Sequence, residues 1–225
     1  MKTIMICCRT IEQEVQAAMK YTGISCPCVW VESGLHNVPG QLAQRLQQEL
    51  DALPGTVERV LLGFGFCGNA VKGLHTGNFT LIVPRVDDCI TLLLGSCQRR
   101  NQLMREEGTY FLTEGWLKGE RNLWVEFERV RERFGEGHAR RIFAVMLAHY
   151  QRLAVVDTGL SDLDVLLPET KKFAGGLGLR HQVISGTLDY FRILLTGPWD
   201  EDQFLVVPPC STVTLEDLHL PVFQN

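Results

Sequence analysis

The sequence predicts an α/β fold, with a mostly parallel sheet, helices on both faces, and room for two related lobes. Three observations predict it. Short apolar runs alternate with helical patterns along 225 residues. Several of those runs lack polar alternation, as strands do when both of their faces are covered. A weak internal echo links LAVVDTG and the later VISGTL to the first strand and to WVESGL.

Each element has its own local signal. Thr3–Cys8 is a continuous apolar strand ending in Cys7-Cys8. Ile11–Tyr21 has helical spacing and is closed by Gly23. Cys28–Glu32 is a second strand. Pro39–Leu53 is a helix opened by Pro39 and stopped by Pro54-Gly55. Val57–Gly63 is a third strand, running into Gly65, Cys67 and Gly68. Phe79–Pro84 is a fourth strand, Ile90–Arg100 a helix, and Thr109–Thr113 a fifth strand. Leu123–Phe134 and His138–Gln151 are two helices with no strand between them. Strands resume at Leu153–Asp157, His181–Ile184 and Phe204–Val207. This order divides the chain into an N-terminal α/β lobe, 1–120, carrying the Cys-rich strand ends. A helical connection and C-terminal α/β lobe, 121–225, share its cleft.

Composition narrows the function. Hydrophobic residues are 45% and charged residues 21%, as in globular proteins. A net charge of −4 without a basic block argues against nucleic acid and against an anionic membrane surface. The start, MKTIMICC, is too short an apolar run for a signal peptide, and Arg9, Glu12 and Glu14 come directly after it. A cytoplasmic location is expected. Its reducing conditions make the 8 cysteines free thiols: core filler, metal ligands or nucleophiles.

In a parallel sheet, ligands bind beyond the carboxyl ends of the strands. Those ends deliver Cys7, Cys8, His36, Cys67 and Cys89. In GFGFCGNAVKG, Gly65 and Gly68 permit close backbone approach to a ligand. A helix starting near Asn69 would lower the pKa of Cys67. The Gly-x-Gly-x-x-Gly pattern at Gly63–Gly68 comes after the third strand and lacks a clear acidic partner, which weakens a dinucleotide reading. In PRVDDCI, Arg85 supplies a fixed cation, capping of the next helix accounts for one of Asp87 and Asp88 and leaves the other unexplained, and Cys89 lies at that helix's first turn. His36, Cys67 and Cys89, with Cys7 nearby, form a candidate metal set of the open kind. In TYFLTEGW, Glu114 ends a strand among aromatic residues that otherwise fill a core. Asp88 and Glu114 are the candidate catalytic carboxylates. Gly65, Gly68, Asn69, Arg85 and Trp116 are the candidate cofactor-binding residues. Cys26 and Cys28, at the opposite edge, are structural.

The segments CGNAVKGL, PRVDDCITLLLGS, GTYFLTEGW and LAVVDTG resemble the domain-of-unknown-function family numbered 1638. The resemblance covers most of the chain. It carries over to His36, Cys67, Gly68, Arg85, Asp87, Asp88, Cys89, Glu114, Gly115 and Trp116. Pro208-Pro209 stands where the pattern has Pro-Gly. The resemblance implies anaerobic bacteria and methanogens, and corrinoid-dependent one-carbon metabolism. The functional expectation is therefore a metal-thiolate protein of methyl transfer, with zinc or an iron–sulfur cluster. Its partners would be a small molecule or cofactor and a corrinoid protein. The alternatives are a non-catalytic metal- or cofactor-binding module and a metal-free thiol enzyme with Cys67 as nucleophile and His36 as base.

Overall fold

The computed structural model describes residues 2–119 and 122–218, apart from the side chains of His36 and Asn37. The chain runs β1 (Thr3–Cys8), α1 (Glu12–Thr22), β2 (Cys28–Val31), α2 (Pro39–Asp51), β3 (Arg59–Gly63), β4 (Thr80–Pro84), α3 (Cys89–Leu94), α4 (Cys97–Glu106) and β5 (Thr109–Leu112). It continues through α5 (Glu114–Leu117), α6 (Leu123–Phe134), α7 (Glu136–Met146), β6 (Arg152–Asp157), α8 (Leu163–Leu177), β7 (Arg180–Ser185), α9 (Asp189–Thr196) and β8 (Phe204–Val207). The α/β class and the mostly parallel pairing agree with the expectation.

The strands form two sheets. The larger has the order β2-β1-β3-β4-β8, parallel except for β8 against β4. The smaller, β5-β6-β7, is wholly parallel. β5 lies before residue 120 yet belongs to the smaller sheet, and β8 returns to the larger one. The chain therefore crosses between sheets twice rather than once at residue 120. The units β1-α1-β2 and β6-α8-β7 share one parallel arrangement, which is the topology behind the sequence echo.

Two apolar cores match the sheets. β6 serves both because successive strand residues face opposite sides. Ala154 and Val156 join the larger core with β1, β3 and β4. Leu153 and Val155 join the smaller one with Phe127, Phe143 and Phe173.

Two local expectations are corrected. The helix over Ile90–Arg100 is two helices, α3 and α4, divided at Gly95-Ser96. Gly95 takes φ +85° and the Ser96 hydroxyl caps α4. After β3 no helix begins at Asn69. Cys67, Gly68 and Asn69 all take positive φ (45°, 68° and 67°), and Ala70 N donates to Phe66 O. That is one left-handed turn, a conformation that costs roughly 1–2 kcal/mol per non-glycine residue.

Candidate functional site

The site is built where the loops after β3 and β4 lock together. Phe66 N donates to Val86 O and Cys67 N to Asp87 O, both at 2.7 Å. Gly65 makes this possible. A Cβ there would stand 2.6–2.7 Å from the backbone of Asp88 and Val86. Gly65 is thus required by the close approach of a neighbouring loop. The lock sets Cys67 beside Cys89, and the C-terminal end of β1 adds Cys8.

These three thiols line a cavity of about 450 Å³ with Phe64, Phe66, Ile90 and Trp116, and Asp87 and Asp88 at its polar side. Gly68 and Asn69 line it too. Asp88 is the N-cap of α3, accepting from Thr91 N at 3.0 Å, and it pairs with Arg100 at 2.9 Å. Its carboxylate is therefore committed to structure. Arg100 also reaches Asp87, 3.7 Å away. Burial nevertheless holds the Asp87 carboxyl above its ordinary range.

Cys8 and Cys89 behave as a pair. The buried Thr10 hydroxyl stands 3.0 Å from Cys8 Sγ and 3.8 Å from Cys89 Sγ. Hydrogen bonding, from Cys89 first and also from Thr10, brings the Cys8 pKa down to about 7 against the opposing effect of burial. Cys89 is correspondingly pushed up, first by that same bond to Cys8 and then by burial. Cys67 is pushed up to about 12, chiefly by burial, with Asp88 and Cys8 adding to it. The expected low pKa at Cys67 is overturned because no helix starts there and the turn faces an apolar wall.

Motif TYFLTEGW becomes intelligible as scaffolding. Thr113 Oγ1 caps α5 by accepting from Trp116 N at 3.1 Å. At Gly115 a Cβ would fall 1.9 Å from Thr10 O, so only glycine lets α5 rest on the Thr10 turn. Trp116 is thereby set into the cavity wall. Glu114 pairs with Lys118 at 2.6 Å and is not among the cavity residues.

The remaining expected residues lie elsewhere. Arg85 donates to Asp217 O at 2.6 Å and lines a separate cleft with Cys97 and Tyr190. Cys7 occupies the opposite face of β1, its sulfur over Gly63 and against Cys28, which contacts Cys26. The His36 side chain lies outside the described residues. Its turn neighbours Ser33, Gly34 and Leu35 line a third cleft with Arg9 and Lys118. Among the described residues, no group of three or more His, Cys, Asp or Glu side chains stands ready to hold a metal ion. The expected metal set therefore contributes Cys67 and Cys89 to the cavity, without Cys7. Sequence reasoning placed Cys8 at the sheet edge but chose Cys7 in its stead, and it missed Thr10.

Fold and cavity together define an α/β protein with a three-thiol pocket at the carboxyl edge of a parallel sheet. Residues 30–195 match the family described as Protein of unknown function (DUF1638), and the chain belongs to that family. No curated protein and no solved structure matches it. No described helix is long and apolar enough to cross a membrane.

Proposed function

We propose that the cavity is a thiol-dependent active site in which Cys8 is the nucleophile toward a soft electrophilic centre of a small, largely apolar substrate. The observation that carries this reading is the Thr10 hydroxyl set 3.0 Å from the Cys8 sulfur and within reach of Cys89, inside an apolar-walled cavity. A thiolate is the reactive form of cysteine, and a pKa near neutrality keeps about half of it ionised at pH 7, against about 3% of an ordinary cysteine. Strain in the left-handed turn of Cys67 and Asn69 supports the same place, since strained backbone clusters at functional sites. Phe64, Phe66, Ile90 and Trp116 favour an uncharged body on the substrate. The methyl groups of corrinoid-dependent one-carbon metabolism fall within the class of soft electrophiles, which ties this reading to the expectation from the family resemblance.

The zinc or iron–sulfur centre fits these residues less well, because Cys7, one of the expected ligands, is on the far face of β1. No step is routed through a metal. Elemental analysis of protein purified without oxygen checks this. About one equivalent of zinc or iron, lost in Cys67→Ala, would restore the metal-thiolate reading.

The nucleophile is tested by residue-resolved alkylation with iodoacetamide across pH. Cys8 is expected to react first, with a midpoint near 7. If Cys8 stays unmodified up to the ordinary thiol range while exposed Cys210 reacts, the proposal fails.

A further inference from the structure

Cys8 does not stand alone in the cavity. A second thiol, Cys89, lines the same cavity and shares the Thr10 hydroxyl with it. Resting on Cys8 as the nucleophile, we infer that Cys89 is its resolving thiol, and that the pair carries out thiol–disulfide exchange with a small organic disulfide, closing a reversible Cys8–Cys89 bond.

The chemistry balances in two exchanges. The Cys8 thiolate attacks one sulfur of R–S–S–R, forming a Cys8–S–R bond, and the first R–S⁻ leaves with the electron pair and takes up a proton. Cys89 then loses its proton to solvent and attacks the Cys8 sulfur. The Cys8–Cys89 bond forms and the second R–S⁻ leaves, again to be protonated. The substrate disulfide gains two electrons and two protons in all, and the two protein thiols lose them. Run in reverse, a small thiol restores the pair.

Two features select Cys89 over Cys67. Thr10 touches both sulfurs and holds them on one side of the cavity. Cys67 is fixed by its left-handed turn and by the Cys67 N to Asp87 O bond, and it reaches Cys8 only as a nearby charge. The order of attack is built in as well. What keeps Cys89 protonated is first its bond to Cys8, with burial next and then the Cys8 charge. Both contributions from Cys8 vanish once Cys8 is in a neutral mixed disulfide, which frees Cys89 to ionise for the second step. The walls set the substrate class. Aromatic residues favour a compact R group, and the carboxylates of Asp87 and Asp88 disfavour an anionic one, so neutral or cationic disulfides such as cystamine are preferred.

The test is exposure of the reduced protein to cystamine near neutral pH without oxygen, then non-reducing proteolysis and mass spectrometry. The expected product is a Cys8–Cys89 linked peptide with release of two cysteamines per chain, while Cys89→Ser stops at Cys8 carrying one cysteamine. Cys67→Ser is expected to close the same bond as the parent. A parent protein that halts with cysteamine on Cys8, or that links Cys8 to Cys67, overturns the inference while leaving Cys8 as the nucleophile. If neither cystamine nor iodoacetamide reaches Cys8 first, the nucleophile reading falls, and the inference with it.

Discussion

Cys7 and Cys8 are neighbours in the chain, on one strand, both buried, and they do opposite things. Cys8 faces the cavity, where the Cys89 thiol and the Thr10 hydroxyl stabilise its negative charge. Cys7 faces the other way, packed over Gly63 and against Cys28, among thiols that do not line the cavity. Nothing in the amino acid itself separates them. The difference is which donors each side of the sheet supplies, and it teaches that a cysteine's reactivity is assigned by strand face before it is assigned by position in the sequence.

The comparison is broken most severely through the glycines that support each face. Gly115→Ala drives a Cβ to 1.9 Å from Thr10 O, a backbone atom that cannot step aside. We expect a loss of about 3 kcal/mol in urea unfolding, with rapid Cys8 alkylation lost as the Thr10 turn shifts. Gly63→Ala meets the Cys7 sulfur at 2.5 Å, a side-chain atom with some freedom. A cost of about 1 kcal/mol is expected there, with Cys8 still reactive. Equal costs, or intact reactivity in Gly115→Ala, would contradict the division of roles between the faces.

Substituting the thiols themselves sharpens the contrast. Cys8→Ser should remove the fast phase of alkylation at pH 7. Cys7→Ser should leave the fast phase untouched and cost about 1–2 kcal/mol for a hydroxyl placed in the core. A fast phase that survives Cys8→Ser would move the nucleophile to another residue.

A smaller effect separates the thiols by pH. Cys8 has a lowered pKa in the folded protein, so its contribution to stability is complete above the ordinary thiol range of about 8.5 and is lost as the pH falls through about 7. Cys67 has a raised pKa, so its contribution is complete below about 8.5 and is lost as the pH rises toward 12. Cys89→Ala should flatten the first slope and move the Cys8 alkylation midpoint upward toward the ordinary value. Cys67→Ala should flatten only the second. Chemical denaturation at stepped pH measures both, and an unchanged slope below pH 8.5 in Cys89→Ala would remove the thiol pair as its cause.

The smallest effect is expected at Glu114. Its carboxyl is held below the ordinary range by Lys118 at the surface of α5, away from the cavity. Glu114→Gln should change stability by less than about 0.5 kcal/mol and leave Cys8 alkylation as it was. A slowed reaction would return Glu114 to the catalytic role its motif first suggested.

Much of this was legible from residues alone. The strands at 3–8 and 204–207 and the helix at 123–134 coincide with the expected spans, because apolar runs and helical spacing are local signals. Asp88 as a cap and Cys67 and Cys89 at one sheet edge come from short-range grammar and from the rule that parallel strand ends share an edge. Arg85 and Glu114 were misplaced because both come just after strands but turn to partners distant in sequence or one turn along their own helix.

By itself the sequence determined an α/β chain, the strands that end in thiols, and the motifs of its family. Only the tertiary structure decided that Cys8 rather than Cys7 lines the cavity. β1 is covered on both faces, so its residues are apolar throughout and carry no alternation to mark inside from outside. The left-handed turn at Cys67–Asn69 was equally hidden. It is held by main-chain bonds to the loop after β4, and backbone groups look the same under every side chain.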